Sequence, residues 1–158
     1  MKTGPSARGA GGLLINMARY NNSLIGEKPT TTMRKVLSAI IIREGNYLLV
    51  RKKRTYLFPG GKPEGTESDE ECLRREIAEE LSGTQIANIK PYKHFEGISP
   101  HKGDVVRVEY YFADIVGKVG KPSAEISGAI WADRNMKLRI SESAQRTINS
   151  LVADGYIS

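Results

Sequence analysis

A chain of 158 residues, 39% hydrophobic and 27% charged, suffices for one domain with a core and is too short for two ordinary ones. No apolar run reaches the roughly 20 residues of a membrane helix, and a single cysteine, Cys72, excludes an intrachain disulfide, so a cytoplasmic protein with no membrane partner is expected. The net charge of +6 is segregated: residues 34–54 hold seven basic residues against one acidic and residues 62–83 three against eight, whereas a stable nucleic-acid partner would require a continuous basic face.

Residues 1–32, rich in Gly, Ser, Thr and Asn, show no sustained period and read as a flexible leader before a domain spanning 33–158. Val36 to Ile42 is almost wholly apolar and β-branched, Gly45-Asn46 supplies a turn, and Tyr47 to Val50 returns, which predicts a hairpin. Thr55 to Phe58 is a short extended piece, and Pro59-Gly60-Gly61 forces a loop. Between Ser68 and Leu81, Leu73, Ile77 and Leu81 recur every four residues and predict a helix with a narrow buried stripe, ended at Ser82-Gly83. Gln85 to Phe95, Asp104 to Val116 and Gly128 to Ala132 read as strands. Ser141 is placed to N-cap a last helix with Ile148, Leu151 and Val152 on its apolar face, stopped by Gly155.

The most informative segment is Arg75-Glu76-Ile77-Ala78-Glu79-Glu80. On a helix, positions 76, 79 and 80 are spaced i, i+3 and i+4, so three carboxylates share one face at a cost of roughly 0.2–0.5 kcal/mol per like-charged pair. A bound divalent cation gives a reason to keep them together. The loop Phe58-Pro59-Gly60-Gly61-Lys62 just before the helix completes a site suited to magnesium and pyrophosphate. Gly61, five residues, Glu67, seven residues and then Arg75-Glu76-Ile77-Ala78-Glu79-Glu80 resemble the Nudix box of the Nudix (MutT-type) hydrolase family. The family motif continues with any residue, a glycine and a bulky aliphatic; here Leu81 is followed by Ser82 in the glycine's place and Gly83 in the aliphatic's.

The resemblance implies an α+β Nudix fold, a mixed β-sheet sandwiched between α-helices. It implies Mg²⁺, with Mn²⁺ as the alternative, held by Glu76, Glu79, Glu80 and the carbonyl of Gly60, with Glu76 either a ligand or the base for the attacking water. It casts Glu67 and Arg75 as the pair that orients Glu76, and a further glutamate outside the box as a ligand, for which Glu125 is the first candidate and Glu109 the second. Arg51, Gly61 and Lys62 are the candidate substrate contacts. His94 and His101 lack a partner at zinc spacing, Trp131 and Tyr110 read as core, and Cys72 alone gives no sign of nucleophilic catalysis. The expected activity is cleavage of the pyrophosphate linkage of a small nucleoside diphosphate derivative, most simply a nucleoside triphosphate to monophosphate and pyrophosphate. ADP-ribose or nucleotide-sugar hydrolysis, toward which Pro100 points weakly, is the second reading, and a nucleotide-sensing domain without turnover is the third. Assembly is expected as monomer or homodimer.

Overall fold

The apolar run that opens the domain serves two sheets instead of one hairpin. Its first part, β1 (Arg34–Ile40), lies in a four-stranded sheet with β5 (Gly60–Gly61), β6 (Gln85–Ile98) and β7 (Val105–Val116), in the order β5–β1–β7–β6. Its last residues form the two-residue strand β2 (Ile42–Arg43), which pairs antiparallel with β3 (Asn46–Lys52) in a second sheet. Apart from Ser38 the run is apolar because both of its faces are buried: Leu37, Ala39 and Ile41 point into one core, Val36 and Ile40 into the other. The turn residues are Glu44 and Gly45, at φ +53° and +81°, one position earlier than the sequence suggested.

The computed structural model describes residues 33–99 and 102–158; the leader expected at 1–32, Pro100 and His101 lie outside the described residues. In the first sheet, β1 pairs parallel with β7 (Val105–Val116) and antiparallel with β5 (Gly60–Gly61), and β6 (Gln85–Ile98) pairs antiparallel with β7. The second sheet joins β3 to β2, to β4 (Thr55–Leu57) and to β8 (Ile126–Ala132), all antiparallel. A bulge between Arg51 and Lys52 shifts the β3–β8 register.

One helix covers each side. On α1 (Asp69–Glu80) and the residue after it, Leu73, Ile77 and Leu81 are fully buried against the cluster that contains Leu37, Ala39, Leu48 and Val50. On α2 (Glu142–Ala153), Ala144, Ile148 and Leu151 pack in the cluster of Ile40, Leu49, Val108 and Tyr110. Each such aliphatic side chain contributes roughly 1.5–3 kcal/mol, so these stripes fix both helices to the sheets. The layering is the α+β sandwich of mixed sheets between helices expected from the sequence.

The C-terminal end of α1 is closed by partners from near and far. Gly83, at φ +74°, donates its N–H to the carbonyl of Ala78, so the glycine that comes one residue late in the box takes the left-handed position. The connection between β7 and β8 then folds over the helix end: Ser123 N–H reaches the carbonyl of Glu80 at 2.9 Å, and Gly120 N–H reaches Thr84 Oγ1 at 2.7 Å. A Cβ on Gly120 would stand 2.1 Å from the carbonyl oxygen of Ser82 and 2.6 Å from that of Leu81, both backbone atoms with little room to move. Gly120→Ala is therefore expected to cost about 1–3 kcal/mol, a fall in melting temperature on the order of 2–4 °C per kcal/mol. Gly128→Ala, whose Cβ meets nothing nearer than 3.9 Å, serves as the control in the same melts and should change little.

Candidate active site

Helix α1 begins well and ends against its own dipole. Ser68 caps it with a reciprocal box: Ser68 Oγ accepts from Glu71 N–H at 3.1 Å and Glu71 Oε1 accepts from Ser68 N–H at 2.9 Å. The first turn is acidic, which the helix dipole favours, but the last turn carries Glu79 and Glu80 and no basic residue. Carboxylates at that end are opposed by the C-terminal carbonyls, so their placement there serves something other than helix stability.

Arg75 is the hub that organises them. Its Nε and Nη2 grip Glu67 at 2.5 and 2.9 Å, and Nη2 also donates to the carbonyl of Lys62 at 3.1 Å. Its Nη1 donates to Glu76 Oε2 at 3.0 Å and to Glu79 Oε1 at 3.3 Å. Glu67 Oε1 accepts a further bond from Glu64 N–H, so the loop after β5 is tied to the helix through one guanidinium. The Arg75 hydrogen bonds, helped by Glu64 N–H, hold the Glu67 carboxyl down to about 2. The Arg75 guanidinium is in turn pushed further toward its charged form, chiefly by Glu67.

Two glycines make room for the glutamates. Gly60 N–H donates to Glu80 Oε1 at 3.0 Å, and Glu80 is buried, only 6% exposed. Burial pushes the Glu80 carboxyl up to about 8, with the charges of Glu76 and Glu125 adding to the rise and the Gly60 N–H and Lys52 opposing it. The Glu76 carboxyl is also raised, first by burial and against its bond to Arg75. A Cβ on Gly61 would lie 2.2 Å from the carboxyl carbon of Glu76, so the space a side chain would fill is occupied by that carboxylate.

Glu76 and Glu80 line a cavity of about 310 Å³ together with Gly60, Gly61, Lys62 and Glu125. Glu125, on the connection before β8, faces Lys52 at 3.4 Å. Lys52 also lines the cavity, whereas Arg51 does not: Arg51 Nε donates to Ser127 Oγ at 3.0 Å outside it. Along β3, Leu48, Val50 and Lys52 share one face and Leu49 and Arg51 the other, so alternation carries Lys52 and not Arg51 to the cavity; the register shift against β8 lies in β8, where Ser127 is the extra residue. Glu79 stays half-exposed on Arg75 and off the cavity wall. Glu109 pairs with Lys35 and Arg107 away from it, and His94 Nδ1 lies 3.3 Å from Arg107. Trp131 stacks under the Arg43 guanidinium in the second sheet, while Tyr110 is buried and reaches the cavity with its hydroxyl on Ser143. Burial lifts the Cys72 thiol to about 11, which keeps it inert.

The donor set fits a hard divalent cation in its chemistry. Glu76, Glu80 and Glu125 bring carboxylate oxygens to one cavity, and burial, with the charges of Glu76 and Glu125, opposes ionisation of Glu80, an opposition that a bound cation would offset. Among the described residues no three His, Cys, Asp or Glu side chains are already gathered at metal-binding distance. Glu79 would have to leave Arg75 to join Glu76 and Glu80.

The model of the NUDIX domain family matches residues 32–147. The chain belongs to the Nudix family. As a Nudix hydrolase it is similar in structure to a MutT NUDIX hydrolase from Burkholderia pseudomallei, at 23% identity over 75% of this chain and 97% of that one, with a TM-score of 0.64. It is similar to a UDP-X diphosphatase at 17% identity, over 89% and 72% of the two chains and a TM-score of 0.66. A pyrophosphohydrolase from Bacillus subtilis gives 25% identity over 84% and 89%, with a TM-score of 0.57. No curated protein sequence matches. Nudix enzymes use divalent metals and act on small nucleotide substrates, and among the described residues no helix is long and apolar enough to cross a membrane.

Two measurements probe this geometry. Gly61→Ala intrudes on a flexible side chain and not on backbone, so the variant should melt near the wild type while its hydrolase activity collapses; equal loss of both would mean the glycine serves folding alone. Glu80 binds its proton more tightly folded than unfolded, so in metal-free protein its stabilising effect is full below about pH 4.5 and is lost as pH rises through about 8. Melting temperature in chelator should accordingly fall between pH 5 and 8 in the wild type and fall less in Glu80→Gln, which is expected to be the more stable of the two at pH 8.

Proposed function

We propose that this Nudix hydrolase is Mg²⁺-dependent and cleaves the pyrophosphate linkage of a nucleoside diphosphate derivative, most simply a nucleoside triphosphate to monophosphate and pyrophosphate. The observation that carries this reading is the cavity that half-buried Glu76 and buried Glu80 line together with Lys52, Lys62 and the Gly60-Gly61 edge. Glu76, Glu79, Glu80 and the Gly60 carbonyl, with Glu125 from the opposite side, would hold the cation. When bound, Mg²⁺ screens the diphosphate charge and acidifies the attacking water.

The protein's own groups divide the remaining work. Lys52 and Lys62 supply positive charge to phosphate oxygens, Lys62 from the loop and Lys52 from the end of β3. Glu76 has Oε2 committed to Arg75 Nη1, which leaves Oε1 to accept the proton of the attacking water. Burial raises the affinity of that carboxyl for a proton, as a base working near neutral pH requires. Glu67, through Arg75, fixes the orientation of Glu76. An intact glutamate set favours turnover over a purely sensing role.

A pyrophosphate- and phosphate-release screen with Mg²⁺, and with Mn²⁺ in its place, over nucleoside triphosphates, nucleotide sugars, ADP-ribose and dinucleoside polyphosphates tests the reading. Turnover of a triphosphate with chelator-sensitive release of pyrophosphate is expected. Glu76→Gln should keep the fold and lower kcat by about 10²–10⁴-fold. Ligand-dependent melting shifts without product from any compound would instead mark a binding domain.

A further inference from the structure

The floor of the catalytic cavity is a ladder with different chemistry at its two ends. Arg34, Val36 and Ser38 of β1 stand opposite Val106, Val108 and Tyr110 of β7, and all six line the cavity. Ser38 is also the register partner of Gly60, whose N–H holds Glu80, so this end of the ladder adjoins the glutamates. Arg34 is four residues further along the strand, about 13 Å away at a rise of about 3.3 Å per residue. The valines between them offer an apolar surface on which a flat ring can lie. A guanidinium that closes such a slot, far from the carboxylates, has no part in the hydrolysis derived above.

The orientation of Arg34 is fixed. Its Nε donates to Asp104 Oδ2 at 2.6 Å and its Nη2 to Asp104 Oδ1 at 2.9 Å. Asp104 is anchored in turn, because its carbonyl accepts Ser99 N–H at 2.8 Å at the neck of the β6–β7 hairpin. This grip occupies the Nε edge of the guanidinium and leaves the Nη1–Nη2 end, with two N–H groups side by side. Asp104 also offsets the charge of Arg34, so what the free end offers is a hydrogen-bonding fork more than an unbalanced cation.

We propose that Arg34, positioned by Asp104, is the specificity-determining residue of this site and reads two adjacent acceptor atoms at the end of the substrate remote from the scissile linkage. The inference rests on the nucleotide reading of the site. Two chemical sources present such a pair: the O6/N7 edge of guanine, or the oxygens of a phosphate carried at the far end of the nucleoside. The matching edge of adenine places a donor beside its acceptor and leaves one arm of the fork unmatched.

Calorimetric titration of the full chain in chelator, where no turnover occurs, with GMP, AMP and adenosine 3′,5′-bisphosphate tests this directly. Wild type should bind GMP or the bisphosphate roughly tenfold tighter than AMP, and which of the two is preferred identifies the source. Arg34→Gln should erase that preference and leave AMP affinity unchanged; Asp104→Asn should narrow it. Arg34→Lys, which keeps a cation without the fork, should behave as Arg34→Gln and serves if the latter does not fold. Equal binding of all three ligands by wild type, or equal weakening of all three in the Arg34 variants, would overturn the proposal. The test is separable from the proposed activity: hydrolysis of a triphosphate without any ligand preference sinks only the role of Arg34, and preference without hydrolysis sinks only the chemistry.

Discussion

Everything in the site depends on how closely the Gly60-Gly61 edge approaches helix α1. Gly60 has its N–H on Glu80 and its missing side chain against the carbonyl of Leu37; Gly61 has its missing side chain where the Glu76 carboxylate lies. Any Cβ at either position meets atoms within 2.5 Å. Because the same two residues pair with Leu37 and Ser38 of β1, the glutamates are referenced to the sheet through backbone and not through flexible side chains. The burial that this contact imposes on Glu80 is what raises its carboxyl, and the charges of Glu76 and Glu125 add to the rise.

Arg75 transmits the same constraint along the loop. It joins Glu67, the Lys62 carbonyl, Glu76 and Glu79, so the segment between β5 and α1 and the charged helix face behave as one unit. The bond to Glu79 has a second meaning: as it stands, one of the three clustered carboxylates is spent on the guanidinium. If a cation were held by Glu76, Glu80 and Glu79 together, Glu79 would first have to leave this guanidinium.

What could be read from the chain differed by physical cause. The helix and its stripe of Leu73, Ile77 and Leu81 follow from the 3.6-residue period, and the structure has them as expected; of the three glutamates that period groups, Glu76 and Glu80 line the cavity and Glu79 stays on Arg75. The glycine loop was legible because few other residues survive a close backbone approach. The first hairpin is present, but only Ile41 to Arg43 of the run join it, because an apolar, β-branched run carries no mark of where it leaves one sheet for another; residues 34–40 are claimed by β7, far away in sequence. Arg51 was preferred to Lys52 because nothing local says which face of β3 turns to the cavity; it is the face of Leu48 and Val50, and that face carries Lys52. Arg34 gave no signal at all. It is an ordinary basic residue at a strand start until register sets it beside Val106 and within reach of Asp104.

The division of the 34–43 run between two sheets has a mechanical side. The chain passes from β1 to β2 through Ile41 alone, whose carbonyl still accepts Leu48 N–H from the second sheet at 3.0 Å. The two sheets are thus spliced by one continuous, buried strand, and the catalytic cavity lies where their edges meet. The floor that β1 and β7 give the cavity is held by parallel pairing along the whole of β1, from Arg34 opposite Val106 to Ile40 opposite Phe112. A rigid floor acts as a ruler: the interval between the glutamates and Arg34 is set by strand geometry and holds whatever lies along it.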